Sequence, residues 1–305
     1  MTLGQLRAFL AVVRRRSVSK AASELYVTQP AVSASLAALE RDIGVRLLVR
    51  DRTGVRPTPS GEALAAVAAE CLGLLEQGRD AALAAASPGS GRLRLAAVTT
   101  AGEYVVPPLL KAFHQRYPDV EPVLEVGNRA LVLERLLARE ADLAVGGRPP
   151  TEGPVKGQGF LPNDLVVVAG PDHALAGRRR IDPRMLEDTW LLREPGSGTR
   201  STTEEFLTQH GVEPRQMLNL GSNGAVKQAA AVGLGVTLIS DQAVSLELSA
   251  GTLVRLRVSG TPLRREWFVL HLEEAFLPGP AQAFLRFASG ASARRAVFAA
   301  RPKGG

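Results

Sequence analysis

The sequence predicts an α plus α/β architecture: a small helical module and one long helix precede a larger α/β body. Three observations lead to this prediction. Apolar residues recur at helical spacing through the first 43 residues, and a single apolar stripe continues from residue 59 to about residue 86. From residue 92 onward, strand-like runs alternate with helical patterns. The length of 305 residues is enough for two or three domains.

Three helices and a two-stranded wing account for the N-terminal module. A capping box at residues 2–5 opens the first helix. Ser19 is the expected cap of a short second helix, and Thr28 is the expected cap of a third helix that tolerates a proline in its first turn. Gly44 is expected to end that helix. Residues 47–57 then form the wing around an Asp-Arg-Thr-Gly turn.

A long helix follows the wing and begins at Thr58 and Pro59. A lone connecting helix offers its apolar stripe nothing within its own chain to bury against, so we predict a partner helix from a second subunit. Residues 87–91, Ser-Pro-Gly-Ser-Gly, form the flexible linker behind it. The stripe consists of Leu64, Val67, Cys71, Leu74, Leu75, Ala82 and Leu83.

The body is predicted to contain open parallel α/β sheets divided into two lobes. The expected strands are 92–98, 120–127, 141–147, 164–169, 189–194, 217–221, 236–240, 253–258 and 265–272. The expected helices are 103–117, 128–140, 182–188, 201–210, 223–233 and 280–289. The predicted domains are 1–58, the linker helix and hinge 59–91, lobe I at 92–163 with 267–290, lobe II at 164–266, and a flexible tail at 291–305.

Positive charge is concentrated in the N-terminal module. Residues 1–60 carry ten basic and four acidic side chains, nearly the whole formal net charge of +7, which indicates a polyanion partner.

The single cysteine, Cys71, excludes an internal disulfide and a cysteine-based zinc site. Arginines interrupt any signal-peptide core, and no apolar run reaches the roughly 18 residues of a membrane span. A cytoplasmic protein without a membrane partner is expected.

Helix, short helix, turn, helix and wing predict a winged helix-turn-helix whose third helix enters the DNA major groove. Gln29 and Ser33 can reach base edges or phosphates, and the wing arginines can hold phosphates. The alternative is that the basic residues form only a solvated face of a small helical domain. The candidate DNA-binding residues are Gln29, Pro30, Ser33, Ala34, Ser35, Arg50, Arg52 and Arg56.

The segment LRAFLAVVRRRSVSKAASELYVTQPAVSASLAALERDIGVRLLVR, followed by TPSG, resembles the LysR-type transcriptional regulators. The resemblance covers residues 2–290. It implies that the partner is double-stranded DNA with an inverted-repeat operator. It also implies a homodimer through the linker helix that assembles into a homotetramer, with RNA polymerase as a further partner. It also implies an effector domain resembling periplasmic binding proteins. The family often has Arg and Gln where this chain has Ala34 and Ser35, so base readout there is expected to differ.

A small anionic effector, phosphorylated or carboxylated, is expected in the body, and no cofactor is expected. In α/β sheets, ligands bind beyond the carboxyl ends of strands, where helix N-termini present free N–H groups. Arg200 adds a cation that can grip a carboxylate or phosphate. The alternative is that the residues at these strand ends form only ordinary helix caps and turns. The candidate effector-binding residues are Thr99, Thr100, Asn128, Gly147, Ser197, Gly198, Thr199, Arg200, Ser222 and Asn223.

Within the family, VGGRPP, REPGSGTR and SNGAVKQAAAVGLGVTLIS are most similar to regulators of Calvin-cycle (RuBisCO) operons, which implies control of carbon-fixation genes. Regulators of sulfur or nitrogen assimilation share GSGTR-like segments and are the alternative. Two alternatives come from other functional classes of protein: an enzyme, and a small-molecule-binding protein without DNA function. We predict no enzyme, because the four histidines have neither metal-ligand nor nucleophile-base spacing. A solute-binding protein of the transport type would need an export signal.

Overall fold

The N-terminal elements occur in the order that the sequence predicts. The structure, a computed structural model, describes residues 1–51, 54–86, 90–273 and 276–299. Residues 1–82 together with 137–140 form one compact unit, and residues 83–136 together with 141–305 form a second. The elements of the first unit are α1 (Leu3–Arg15), α2 (Val18–Glu24), α3 (Gln29–Ile43), β1 (Leu48–Asp51), β2 (Gly54–Pro57) and α4 (Pro59–Ala86).

The first three helices surround a small apolar core. Phe9, Val12 and Leu39 are fully buried because each faces inward at helical spacing. The wing is tied to α3 by the Glu40 carboxylate, which accepts hydrogen bonds from the backbone N–H of Leu47 at 2.8 Å and of its neighbour at 3.2 Å. No pattern in the sequence indicates this role of Glu40. It fixes the position of the wing relative to the third helix.

The capping predictions are confirmed at two helices and wrong at one. The capping box at Thr2 is present, and Thr28 caps α3. The cap of α2 is Ser17, which accepts from the backbone N–H of Lys20 at 3.3 Å, and not Ser19. The helix begins earlier than predicted because Val18 turns inward and is buried.

The second unit contains ten strands and eight α-helices among the residues that the structure describes. Its strands are β3 (Gly91–Val98), β4 (Val120–Gly127), β5 (Leu143–Gly146), β6 (Val155–Pro162), β7 (Leu165–Ala169), β8 (Thr189–Leu192), β9 (Gln216–Asn219), β10 (Thr237–Ser240), β11 (Val254–Leu256) and β12 (Glu266–Leu272). Its helices are α5 (Thr99–Tyr104), α6 (Val106–Arg116), α7 (Arg129–Leu137), α8 (Gly198–His210), α9 (Asn223–Ala231), α10 (Ser245–Ala250), α11 (Gly279–Ala288) and α12 (Ala291–Ala299).

The sheets are mixed, so the prediction of wholly parallel sheets is wrong. A five-stranded sheet has the order β4-β3-β5-β12-β6, in which β3 runs parallel to β4 and β5 while β12 runs antiparallel to both of its neighbours. We call this sheet, with α5, α6, α7, α11 and α12, the first lobe. The second lobe contains the antiparallel sheet β10-β7-β11 and the parallel pair β8-β9, with α8, α9 and α10.

The chain passes between the lobes twice, and the two crossing segments pair with each other. Leu165 and Leu263 exchange both backbone hydrogen bonds at 2.9 Å, and the N–H of Asn163 donates to the carbonyl of Arg265 at 2.7 Å. The return crossing explains the antiparallel strand, since β12 re-enters the first sheet from the opposite end. The strand β6 is not predicted from the sequence because two glycines interrupt its apolar pattern.

The C-terminal segment is a helix where the sequence predicts a flexible tail. In α12, Ala293 is fully buried and Val297 is 2% exposed, and both belong to the core of the first lobe around Phe113 and Phe284. Their spacing of four residues places them on one helix face. The prediction is therefore wrong for residues 291–299, and residues 300–305 lie outside the described part of the chain.

Three helices predicted for the α/β body differ from the observed ones. The helix expected at 201–210 begins earlier, at Gly198. The helix expected at 103–117 is divided into α5 and α6. The helix expected at 182–188 is a single 3-10 turn. Among the described residues, no helix is both long and apolar enough to cross a membrane.

A buried ion pair joins β3 to the start of β5. Asp142 is 2% exposed and accepts from Arg94 Nη2 at 2.7 Å and from the Arg94 backbone N–H at 2.9 Å. Removing one partner of a buried pair leaves an uncompensated charge. We predict that Asp142→Ala lowers the free energy of unfolding by about 3 kcal/mol, measured by urea denaturation. Glu121→Ala is the matched control on an exposed pair with Arg92, where the loss should stay below about 1 kcal/mol. Equal losses in the two variants would contradict the assignment.

Candidate functional site

The third helix presents a polar and small-residue face to solvent. Gln29, Pro30 and Ala34 are exposed, while Ser33 and Ser35 are half-buried. The opposite face carries the buried core residues, so this face is the part of the helix that can approach a ligand. Gln29, Pro30 and Ala34 are therefore accessible, whereas Ser33 and Ser35, two residues apart, lie on opposite flanks of the buried stripe.

The wing supplies exposed arginines beside that helix in sequence. Arg50 on β1 and Arg56 on β2 are exposed, and the strands pair with Arg50 opposite Val55. Arg52, the third predicted wing contact, lies outside the described residues. Elsewhere in the module, the Arg15 guanidinium hydrogen-bonds to Glu24 and holds the pKa of that carboxyl below its usual range.

The carboxyl ends of three parallel strands meet at a small cavity in the second unit. Because β3 pairs in parallel with both β4 and β5, the residues after these strands lie together. The cavity has a volume of about 50 Å³. Seven of the ten predicted effector-binding residues line it: Thr99, Thr100, Asn128, Gly147, Ser197, Gly198 and Thr199.

The first residues of α8 line this cavity, and the N–H groups of a first helical turn have no acceptor within the helix. Gly198 and Thr199 are the first residues of the helix, and the Ser197 side chain makes no capping hydrogen bond to it. The partial positive charge of a helix N-terminus is therefore left without a side-chain partner. By contrast, Asn128 Oδ1 accepts from the backbone N–H of Leu131 at 2.9 Å and caps α7.

Two guanidinium groups face Gly147, and neither belongs to the predicted effector-binding residues. A Cβ at Gly147 would lie 3.2 Å from Arg265 Nη2 and 3.8 Å from Arg129 Nη1. Arg265 Nη1 donates to Thr202 Oγ1 at 2.6 Å, which holds it beside the first turn of α8. Burial lowers the pKa of Arg265; the nearby charge of Arg129 lowers it further, although Glu205 opposes the change. Within the described residues, neither arginine has a carboxylate at ion-pair distance.

A third arginine of the cavity is already neutralised. Arg193 is 4% exposed and makes a two-contact pair with Glu194, from Nε to Oε2 at 2.7 Å and from Nη2 to Oε1 at 2.8 Å. Burial alone would raise the pKa of Glu194, but the hydrogen bond and charge of Arg193 outweigh it and leave that pKa below its usual range. The cavity therefore keeps a net positive charge from the other two arginines.

Three predicted effector-binding residues are not among those that line the cavity. Arg200 donates from Nε to Glu204 at 2.8 Å and from Nη1 to Asn219 at 2.7 Å, along the side of α8. Ser222 caps α9 by accepting from the backbone N–H of Ala225 at 3.1 Å. Asn223 is fully buried behind the cavity.

Asn223 connects the cavity to a contact between the lobes. Its Oδ1 accepts from Arg193, and its Nδ2 donates to Thr100 Oγ1 at 3.2 Å and to Glu103 Oε2 at 2.9 Å. One turn further along α9, Lys227 donates to the Tyr104 hydroxyl at 3.1 Å. The helices α5 and α9, from different lobes, are thus joined by three hydrogen bonds, one of which goes to the cavity residue Thr100.

An open cleft adjoins the cavity and shares Arg129, Gly198 and Arg265 with it. The cleft has a volume of about 880 Å³, and its further basic residues are Arg148 and Arg264. It gives a ligand larger than a single phosphate group room to extend. No group of three or more metal-ligating side chains occurs in the part of the chain that the structure describes.

A winged helix-turn-helix combined with a two-lobed body that holds an anion-attracting cavity is the architecture of a ligand-controlled DNA-binding protein. The chain belongs to the LysR family. Residues 3–62 match the bacterial regulatory helix-turn-helix proteins of the lysR family, and residues 86–293 match the LysR substrate binding domain. The chain is therefore a LysR-family transcriptional regulator and not an enzyme.

Similar proteins agree with this assignment. A RuBisCO operon transcriptional regulator of Acidithiobacillus ferrooxidans is 38% identical over 96% of this chain and 94% of that protein. The regulatory domain of CcmR from Synechocystis, solved in complex with 2-PG, is 38% identical, with a TM-score of 0.62 over 65% of this chain and 95% of that domain. A full-length OxyR variant from Pseudomonas aeruginosa is 24% identical, covers 96% of this chain and 97% of its own, and shares the fold at a TM-score of 0.69.

We predict that Asn223→Ala destabilises the protein, since it removes three buried hydrogen bonds and leaves polar atoms of Arg193 and Glu103 without this partner. The expected loss is about 2 kcal/mol, measured by urea denaturation. Ser222→Ala, the neighbouring exposed cap, is the control and should cost about 1 kcal/mol. A smaller loss for Asn223→Ala than for the control would show that the buried contact is unimportant.

Proposed function

We propose that this chain regulates the transcription of carbon-fixation genes and that a small phosphorylated anion, bound between its two lobes, switches it. The observation that carries the effector part is the pair of guanidinium groups, Arg129 and Arg265, that face Gly147 beside the uncapped start of α8. The RuBisCO-operon regulator among the relatives supports the carbon-fixation assignment over the alternative of sulfur or nitrogen assimilation.

The proposed effector is 2-phosphoglycolate, the 2-PG of the related CcmR domain. A water molecule needs about 10–15 Å³ of such cavity volume, so the cavity of about 50 Å³ suits one phosphate-sized group. The phosphate would accept hydrogen bonds from Arg265 and from the first N–H groups of α8. The adjoining cleft would receive the remainder of a longer phosphorylated metabolite.

Binding of this anion would favour one arrangement of the lobes. Arg129 belongs to the first lobe, α8 belongs to the second, and Arg265 lies on a crossing segment. An anion that bridges all three attracts the lobes toward each other, so it stabilises the arrangement in which they are close. The hinges would lie near Asp164 and Glu266. The contact through Asn223 would move with them.

The DNA-binding unit would act as a dimer. Val67, Leu74 and Leu75 of α4 remain 44–59% exposed, and Cys71 on the same stripe is exposed as well. A second copy of α4 would bury this stripe. Two recognition helices related by a two-fold axis would then read an inverted-repeat operator, and association of two dimers would give the expected tetramer.

We predict that Arg265→Ala weakens the binding of 2-phosphoglycolate by at least about tenfold, because a charge-assisted pair with the phosphate is lost. Isothermal titration calorimetry on the full chain measures the effect. Arg200→Ala is the matched control and should bind within about twofold of the wild type, because Arg200 bonds to Glu204 and Asn219 instead. The reverse order of the two variants would move the site to the side of α8.

We predict that Arg50→Ala reduces the steepness with which DNA affinity falls as salt rises. Each arginine that neutralises one phosphate contributes about 0.9 to the slope of log K against log salt, so the slope should decrease by about that amount. Fluorescence anisotropy with labelled duplex DNA measures it. Arg92→Ala, an exposed arginine of the α/β body, should leave the slope unchanged. If the wild type has no affinity for duplex DNA at low salt, the regulator assignment is wrong.

A further inference from the structure

The turn between α2 and α3 has a backbone that favours glycine but carries a tyrosine. The backbone N–H of Val27 donates to the carbonyl of Ala22 at 3.0 Å, and that of Tyr26 donates to the carbonyl of Ser23 at 3.3 Å. These two hydrogen bonds define a Schellman motif, whose left-handed position is usually glycine. Here that position is Tyr26, with φ of 55°. The backbone of a bulky residue is strained in this conformation.

The strain at Tyr26 is not balanced by contacts of its side chain within the protein. The side chain is 96% exposed, and no hydrogen bond to it occurs among the described residues. Of the two other described non-glycine residues with positive φ, one is held through its backbone carbonyl and the other has a side-chain partner. The carbonyl of Arg16 accepts a hydrogen bond from Val55 in the wing at 3.0 Å, and the guanidinium of Arg139 pairs with Glu70 at 3.1 Å.

Tyr26 continues the accessible surface of the third helix. Residues 26–31 are exposed without interruption, and this run includes the helix cap Thr28 and the predicted interface residues Gln29 and Pro30. In a helix-turn-helix, the N-terminal residues of the recognition helix reach the base edges, so the turn just before that helix lies near the phosphates that border the groove. A phenol hydroxyl is a good donor to a phosphate oxygen.

We propose that Tyr26 is a DNA-backbone contact: the strained turn projects its hydroxyl toward a phosphate at the edge of the major groove. The contact positions the recognition helix and carries no base preference of its own. This inference rests on the proposed DNA-binding function. Its distinctive feature is that affinity and stability oppose each other at one residue, since the side chain that binds is the one that strains the fold.

The test compares Tyr26→Phe and Tyr26→Gly with the wild-type full chain. Binding is measured by fluorescence anisotropy on a labelled mixed-sequence duplex of about 40 base pairs, over a range of salt concentrations. Both variants should bind about tenfold more weakly than the wild type, because both lack the hydroxyl. The salt slope should be unchanged in both, since tyrosine carries no charge, whereas Arg50→Ala should reduce it.

Thermal unfolding provides the second readout. Tyr26→Gly should raise the unfolding temperature of the DNA-binding unit by a few degrees, because glycine adopts the left-handed conformation without strain. Tyr26→Phe should leave that temperature unchanged, because the backbone strain and the ring both remain. Weaker binding in these variants therefore cannot result from unfolding.

Each other outcome contradicts the proposal. If both variants bind DNA as the wild type does, Tyr26 makes no contact, while the proposed DNA-binding function stands. If Tyr26→Gly lowers the unfolding temperature, the ring stabilises the fold and the trade-off is absent. If the wild type itself fails to bind the duplex at low salt, the DNA-binding function fails and this inference fails with it.

Discussion

The proposed effector response depends on two arginine side chains that lie close to each other. Both guanidinium groups come close to Gly147, where a Cβ would lie 3.2 Å from Arg265 Nη2 and 3.8 Å from Arg129 Nη1. Burial lowers the pKa of Arg265, Glu205 opposes this change, and the like charge of Arg129 adds to it. The uncapped start of α8 adds further positive potential at the same place. A bound anion would compensate both guanidinium charges and the helix start, which is why this cavity, rather than the exposed face of α8, is the effector site that we propose.

The same region also explains how a bound anion could change the arrangement of the two lobes. The charge of Arg193 is compensated by Glu194, so Arg193 adds no net charge to the cavity. Its hydrogen bond to Asn223 instead connects it to the contact between α5 of the first lobe and α9 of the second. A polar network that is fully satisfied is rigid, and a change at one member shifts the others. The lobes are linked covalently only by two crossing segments that pair with each other. A few hydrogen bonds near the cavity can therefore bias their arrangement.

Much of the fold could be predicted from the sequence because it depends on periodicity and caps. Polar or small residues directly follow the parallel strands β3, β4 and β5, and the strand-end rule correctly brought Thr99, Asn128 and Gly147 together. Arg265 could not be predicted, since it comes from a crossing segment far along the chain whose position depends on tertiary structure. Three residues of the segment GSGTR line the cavity, but the direction of Arg200 depends on the residue at which α8 begins. The buried face of α12 was missed because an Ala- and Arg-rich composition obscured two inward positions.

The central claim is that a phosphate group binds between Arg265 and the start of α8, and a crystal structure of the full chain grown with 2-phosphoglycolate tests it most directly. We expect electron density for the phosphate within hydrogen-bond distance of Arg265 and of the backbone N–H groups of Gly198 and Thr199. Density for the ligand beside Arg200 on the flank of α8, with none in the cavity, would contradict it.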